Sequence, residues 1–416
     1  MPTNSAGEVR DALDELAELA VTAGGLPIGD AIQKVPAPHR ATYIGSGKAK
    51  ELAALCEGGE VDTVIFDEEL SAAQARNLEK VFSCRVMDRT SLILEIFAGR
   101  ARTREGKLQV ELAQLEYLLP RLTRYWTHLS RQRGAVGAIG GEGETQLEAD
   151  RRKTQERINR LKEELVQVRQ HRSTQRAGRQ RHQWPLASLV GYTNAGKSTL
   201  LNSLTGADVL AEDKLFATLD PTTRRLRLPT NQSVLISDTV GFIRKLPHGL
   251  VEAFKATLEE VVEADLLIHV VDASHPRAEQ QIEAVQAVLS EIGASEKPTL
   301  MLLNKVDCEA GAHGARQLQL QHPGSVAISA RTRHGFPSLM SDLGAMLRPI
   351  RDYVALAIPY ARPELIARLH SVGQIVESDF NGEKARFRVR LPAHLRHEFH
   401  PYRIDDEKPD TPLVPA

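Results

Sequence analysis

The sequence predicts an α/β protein: a main domain on an open, mostly parallel sheet, preceded by a small α/β domain and a long antiparallel helical hairpin, and followed by a small C-terminal α/β domain. Three observations lead there. Between residues 186 and 331, short apolar runs of strand length each end in a loop rich in Gly, Asp, Asn or Lys. Leucines recur at alternating intervals of four and three from Leu108 to Leu122, and Ile158, Leu161, Leu165 and Val168 repeat that spacing. Charge is also segregated. The 416 residues hold 53 Lys and Arg against 54 Asp and Glu, a net of -1. From Arg100 to Arg181, however, 19 basic residues face 10 acidic ones, a net of +9, between flanks of -7 and -3. A neutral total therefore does not exclude a polyanionic partner. The reading divides the chain at 1–99, 100–181, 182–350 and 351–416.

Composition, 42% hydrophobic and 26% charged, is that of a folded globular chain rather than a disordered or collagenous one. No apolar run approaches the roughly 18 residues that a spanning helix needs. Cys56, Cys84 and Cys308 are far apart and lack metal-ligand spacing, which fits a reducing compartment. The acidic first twenty residues match neither a secretory nor a transit signal, so the expected location is the cytoplasm.

In residues 1–99, the apolar run 61–66, a helical stretch 72–81, a short run 84–87 and a second helical stretch 91–98 alternate as in a small α/β domain. Gly45-Ser-Gly-Lys48 lacks the spacing of a phosphate loop and reads as a turn into a helix over 49–56. In 100–181, the two leucine-type seams read as the arms of a hairpin around the Gly-rich stretch Gly134–Gly143, with Pro120 expected to kink the first arm. The second arm, over about 144–172, would span roughly 40 Å. Arg121, Arg124, Arg131 and Arg133 interleave with Tyr125, Trp126 and His128 near the tip, and Arg151, Arg152 and Lys153 begin the other arm. Arginines that meet phosphates beside rings that stack on unpaired bases suit structured RNA. The competing reading is a solvated, ion-paired outer face.

In 182–350, the run 186–190 is followed by Gly191-Tyr-Thr-Asn-Ala-Gly-Lys-Ser198 and an apolar helix start, which places G-x-x-x-x-G-K-S between a strand and a helix. In that setting Gly191, Tyr192, Thr193, Asn194, Ala195, Gly196 and Thr199 form a cradle whose backbone N–H groups point at phosphate oxygens. Lys197 is placed to reach the β and γ phosphates, and the Ser198 hydroxyl to bind Mg²⁺. The run 233–237 ends in Asp238-Thr-Val-Gly241, where Asp238 can hold the metal's water and Gly241 can follow the γ phosphate. The run 266–271 ends at Asp272, 299–303 runs into Asn304-Lys-Val-Asp307, and 325–328 into Ser329-Ala-Arg331. Guanine offers N1–H and its exocyclic amine as adjacent donors. One carboxylate, Asp307, can accept both, whereas adenine would leave it without partners.

With these residues in place, the chain resembles the translation-factor-related, Ras-like P-loop GTPases, and within them the HflX-type ribosome-associated GTPases. The resemblance rests on 191–198, on Phe216-Ala-Thr-Leu-Asp-Pro-Thr-Thr-Arg224, on 238–242, on 304–307, and on Gly143-Glu-Thr-Gln-Leu-Glu148 with Asp150-Arg-Arg152. It implies a Ras-like P-loop GTPase domain over 182–350 that exchanges GTP and GDP, binds the large ribosomal subunit and points the hairpin at its RNA. It also implies action in splitting or rescue of ribosomes, or in their biogenesis. By the same likeness Phe216, Ala217, Thr218, Leu219 and Asp220 are switch I, and Thr218 is its Mg²⁺ ligand, with Thr222 and Thr223 as alternatives. Lys305, Val306 and Ala330 complete the base pocket. The hairpin loop departs from the family pattern: it lacks the Arg and Pro usual between its glycines and carries Glu142.

A Gln after the DxxG motif orients the attacking water in many such enzymes; here that position is Phe242. Slow hydrolysis by the chain alone, stimulated by ribosomes, is therefore expected. Asn194 either holds K⁺ against the phosphates, as in GTPases with a similar loop, or only shapes the loop. Two other readings stand beside this one: a GTPase acting on another RNA or protein, and a non-enzymatic RNA-binding protein. In 351–416, a strand over 354–358, a helix over 363–376 and an alternating strand 385–391 carrying Arg386, Arg388 and Arg390 form the last domain. The chain is expected to act as a monomer.

Overall fold

The structure is a computed structural model that describes residues 6–125, 142–180, 184–206, 215–230, 232–244, 255–347, 351–380, 384–392 and 395–404. It divides into two units. The first comprises Met1–Gln170, Leu210–Asp220 and Val240–Leu258, and the second His171–Val209, Pro221–Thr239 and Glu259–Ala416.

The first unit opens with helix α1 (Ala6–Thr22) and continues with α2 (Ser46–Gly58), strand β1 (Thr63–Phe66), α3 (Ala72–Phe82), β2 (Arg85–Asp88) and α4 (Arg89–Arg100). β1 and β2 pair in parallel, with Thr63 opposite Arg85. α3 starts where Ser71 and Gln74 cap each other's backbone, and α4 starts on the same reciprocal pattern between Asp88 and Ser91. Both boxes satisfy N–H groups that a first helical turn leaves without partners. α4 buries Leu92, Ile93, Leu94, Ile96 and Phe97.

The hairpin arms are α5 (Arg104–Tyr125) and α6 (Glu142–Gln180). Leu108, Leu112, Ile158, Leu161 and Leu165 form a buried seam flanked by Leu115, Leu119 and Val168, as the four-three spacing requires. α5 continues through Pro120 to Tyr125. α6 has 39 residues, roughly 60 Å at 1.5 Å per residue, and so is longer than its apolar repeat alone predicts. Past Val168 the sequence carries no further four-three apolar repeat and is rich in Arg and Gln, which favour helix.

The second unit holds a six-stranded sheet: β3 (Leu186–Val190), β4 (Thr222–Arg227), β5 (Ser233–Asp238), β6 (Leu266–Asp272), β7 (Thr299–Asn304) and β8 (Val326–Ala327). Its order is β4-β5-β3-β6-β7-β8, parallel except for β4. Helices α7 (Lys197–Thr205), α8 (Lys255–Val262), α9 (Ala278–Glu291), α10 (Glu309–Gln321) and α11 (Phe336–Met346) alternate with the strands. Leu266 to Val271 are buried without interruption, as in a strand covered on both faces. β4, with its Thr-Thr-Arg-Arg start, does not read as a strand in the sequence; it is an antiparallel edge.

A second sheet follows in the order β10-β11-β9-β12, from β9 (Arg351–Pro359), β10 (Gln374–Asp379), β11 (Lys384–Pro392) and β12 (Arg403–Ile404), with helices α12 (Pro363–Val372) and α13 (Arg396–Phe399). α12 stops four residues before the sequence expectation, because Gly373 turns the chain and Gln374–Asp379 pairs with β11. Among the described residues no helix is long and apolar enough to cross a membrane.

Leu161 is 0% exposed at the centre of the hairpin seam. Leu161→Ala is expected to destabilise the pairing of the arms by about 2–5 kcal/mol, the usual cost of such a cavity. Hydrogen exchange should quicken along α5 and α6 and stay unchanged in β3 and β6; protected arms in the variant would contradict the seam.

Candidate nucleotide-binding site

The site is assembled at the carboxyl ends of β3, β5, β7 and β8, where open α/β sheets gather ligand-binding loops. Two glycines make this possible. Gly191 has φ 151° and Gly196 has φ 94°, both in the region that favours glycine. A Cβ at Gly191 would fall inside contact distance of the Val270 carbonyl, and one at Gly196 inside that of Asn304 Nδ2. Asn194 takes the left-handed conformation at φ 58°, which Asn tolerates better than most residues. The loop delivers the chain to the N-terminus of α7 at Lys197, so helix N–H groups face the cradle.

Lys197 is 6% exposed, and its ammonium donates to the carbonyls of Gly191 at 3.1 Å and Tyr192 at 2.7 Å. Burial pushes its pKa down to about 8, with the negative Asp238 pulling the other way. The Ser198 hydroxyl donates to Asp238 Oδ2 at 2.6 Å. These are hard oxygen donors side by side, one neutral and one anionic, a set that fits Mg²⁺ and would not favour a soft metal. No group of three or more His, Cys, Asp or Glu side chains gathers among the described residues. Asn194 is exposed on the loop's rim, and a K⁺ ion would draw on its amide oxygen.

The second half of the site is fastened by Asn304, which is 2% exposed. Its Nδ2 donates to the Ala195 carbonyl at 2.8 Å, and its Oδ1 accepts from the Ala330 N–H at 2.9 Å. Asp307 Oδ1 accepts from the Ser329 hydroxyl at 2.8 Å, and that hydroxyl accepts from the Thr332 N–H at 3.1 Å. The carboxylate is thereby held by one oxygen, so the loops at 304–307 and 329–331 form one frame. Lys305, with φ 69°, pairs with Asp272 at 2.6 Å. That pair is absent from the sequence reading; its only signal is the Asp that ends a buried strand.

Thr239 is buried, and its hydroxyl donates to the Leu189 carbonyl at 2.6 Å, which ties β5 to β3. Of the three threonines weighed for switch I, Thr223 is committed elsewhere: its hydroxyl donates to Glu260 at 3.3 Å, and the Ser237 hydroxyl donates to the same carboxylate. Thr222 stands opposite Asp238 in the antiparallel ladder. Phe216, Ala217, Thr218, Leu219 and Asp220 lie in the first unit, as do Val240, Gly241 and Phe242. Phe242 is 2% exposed.

The arginines named as RNA contacts separate. Arg121 is not a free surface cation. Its guanidinium donates to Asp88 at 3.2 Å and to the Leu70 and Tyr117 carbonyls at 2.9 Å each, and it lies 3.4 Å from the Tyr117 ring centre. Asp88 also accepts from the Tyr117 hydroxyl at 2.7 Å, so Arg121 closes a buried polar cluster. Arg151 and Arg152 are exposed on α6. Trp126, Arg131, Arg133 and the Arg124 side chain lie outside the described residues.

His269 of β6 is 2% exposed. Burial, with the Lys197 charge second, pushes its pKa down from 6.5 to about 4. The folded unit therefore binds fewer protons than the unfolded chain between pH 4 and 6.5, and its stability falls as pH drops through that window. The loss should reach about 3 kcal/mol by pH 4, read from denaturant midpoints. His269→Gln should remove this contribution, and an unchanged pH dependence in the variant would refute it.

The chain is similar to known proteins along most of its length. Family models match in sequence along the chain: GTP-binding GTPase N-terminal over residues 10–98, GTP-binding GTPase Middle Region over 100–179, and 50S ribosome-binding GTPase over 187–305. The GTPase HflX of Caldanaerobacter subterraneus is 44% identical over 403 residues, covering 96% of this chain and 92% of that protein. The GTPase HflX of Escherichia coli is 47% identical, covering 86% of this chain and 84% of its own length. A GTP-binding protein of Sulfolobus solfataricus, solved with GDP, is 27% identical at a TM-score of 0.43, covering 81% of this chain and 96% of that one.

Proposed function

The chain belongs to the HflX family of GTPases, and from that premise we propose that it is a Mg²⁺-dependent GTPase that works on the large ribosomal subunit, in the splitting and rescue of ribosomes or in their biogenesis. The observation that carries the reading is the meeting of Lys197, Ser198 and Asp238 with the frame of Asn304, Asp307 and Ser329 on one edge of one sheet. It supports GTP specifically, because a carboxylate positioned by Ser329 is matched to guanine's paired donors.

Each residue then has a task. The backbone from Gly191 to Thr199 receives the phosphates, and Lys197 exchanges its two carbonyl partners for β and γ phosphate oxygens. Ser198 and Thr218 would hold Mg²⁺ directly and Asp238 through water, and the ion would supply neutralisation of phosphate charge. Gly241 presents its N–H to the γ phosphate. Asn304, Lys305, Val306 and Asp307 with Ser329, Ala330 and Arg331 enclose the base. Phe242, a buried ring where water-orienting enzymes carry Gln, cannot hydrogen-bond the attacking water. The chain alone is therefore slow, and a partner has to complete the site.

The partner reading rests on the hairpin, whose balance is +9. Arg151 and Arg152 on α6, together with Arg124, Trp126, Arg131 and Arg133 near the tip, are proposed to meet ribosomal RNA, whereas Arg121 serves the fold. The compartment that fits is the cytoplasm.

Single-turnover hydrolysis should be at least about tenfold faster with large subunits than without, in keeping with a missing group supplied in trans. Light scattering of whole ribosomes should fall on addition of protein and GTP if splitting is the task. Equal rates with and without subunits would remove the ribosomal reading and leave the GTPase. For Asn194, turnover in KCl is expected to exceed turnover in NaCl several-fold; equal rates would reduce Asn194 to a loop residue.

A further inference from the structure

In the first unit, the segment Leu215–Asp220 is fastened to the body at two points. Phe216, 2% exposed, sets its ring edge-on against Phe97 of α4, with centroids 4.7 Å apart and planes at 77°. Four residues on, the Asp220 carboxylate sits against Arg102 and Thr103, the two residues that lead into α5. Its Oδ2 accepts from the backbone N–H groups of Arg102 and Thr103, both at 2.9 Å, and its Oδ1 accepts from the Thr103 hydroxyl. The same hydroxyl accepts from the Gly106 N–H at 3.0 Å.

Backbone N–H groups at a helix start lack intrahelical partners and carry partial positive charge, so an anion there is stabilised twice. The neighbouring Thr103 hydroxyl caps the Gly106 N–H in the ordinary way. The anion is added from a residue 117 positions away. Gly106 completes the fit, since a Cβ at that position would lie 2.5 Å from Asp220 Oδ1. Gly has a lower helix propensity than Ala, so at Gly106, the third residue of α5, the space given to the carboxylate accounts for a residue that helix propensity opposes. The loop after β5 is fastened as well: Arg244 lies 3.8 Å from Glu15 of α1, which also pairs with the buried Arg89.

Asp220 follows Thr218 by two residues, and two residues of chain reach at most about 7 Å. While Asp220 caps α5, Thr218 is confined to that distance from the cap. We propose that Asp220 is a positioning residue that couples switch I to the first arm of the hairpin. In that role the bond to α5 and the engagement of Thr218 with the nucleotide would exclude each other, and a partner that shifts α5 would release the segment. The proposal rests on the role of Thr218 given under Proposed function. Linkage makes the coupling reciprocal: whatever GTP does to the α5 cap, a displaced α5 does to GTP engagement.

Hydrogen exchange on the full chain tests this without ribosomes. With Mg²⁺ and GDP, the amides of Arg102 and Thr103 should be protected. With Mg²⁺ and a non-hydrolysable GTP analogue they should exchange at least about tenfold faster, while the amides from Leu108 onward hold. Gly106→Ala, which expels the carboxylate yet favours the helix, should exchange fast at both amides with either nucleotide, and Asp220→Ala should do the same. Equal exchange with the two nucleotides in the unaltered chain would overturn the coupling.

A second measurement separates positioning from a purely structural cap. Gly106→Ala should raise ribosome-free single-turnover hydrolysis several-fold and shrink the stimulation by large subunits, and adding Asp220→Ala should change neither further. Unaltered rates in Gly106→Ala would also overturn the proposal. If large subunits do not stimulate the unaltered chain, the ribosomal reading fails alone, because the exchange comparison contains none.

Discussion

One buried amide carries the second unit's chemistry. Asn304 donates to the loop that follows β3 and accepts from the loop that follows β8, and its own carbonyl accepts from Ala273 beyond β6 at 3.0 Å. Two loops that arise on separate strands are thus referred to a single side chain at the end of β7, and a third to the same residue's backbone. The requirement for glycine at 196 follows from it, because the Asn304 amide occupies the space a Cβ would need. A buried amide stripped of such partners would cost a few kcal/mol. The frame is consequently set by folding, before any ligand arrives.

The electrostatics of the same edge point one way. Lys197 is buried with carbonyl partners and one carboxylate nearby, and its pKa stands at about 8 rather than the ordinary 10.5. A cation so poorly compensated gains from a polyanion placed against it. His269, held neutral beneath, adds no competing charge near pH 7. Burial outweighs the nearby Asp238 at Lys197, so an anion placed against that ammonium would supply the compensation that solvent does not.

Much of this was legible from one sequence because it depends on local patterns. The glycines at 191 and 196, the strand ends at Asp238 and Asn304, and the leucines of the hairpin seam are each read from neighbours within eight residues. What depends on distant partners was not legible. Arg121 stands in a run of arginines, and nothing local says that Asp88 takes it into a buried cluster. Asp220 reads as a loop aspartate, and its engagement with Thr103 spans 117 positions. β4 was hidden because Thr222 and Thr223 suit a metal-binding loop as well as an edge strand. The Thr223 hydroxyl is assigned only when Glu260 is seen beside it.

The charge pattern changes meaning once the hairpin is built. Its acidic residues are not spread evenly: Glu111 pairs with Arg157 at 2.7 Å, Glu116 with Lys162 at 2.8 Å, and Glu164 with Arg104 at 3.4 Å. All three pairs cross from one arm to the other, beside the leucine seam. Exposed pairs of this kind fix register more than they add stability. Each pair takes up one anion and one cation, so the segment's excess of nine basic residues lies outside the three pairs. Arg151, Arg152, Lys153 and Arg160 of α6 face solvent. A polyanion bound through such a face would be held less tightly as salt rises, with a slope set by the number of its charges neutralised.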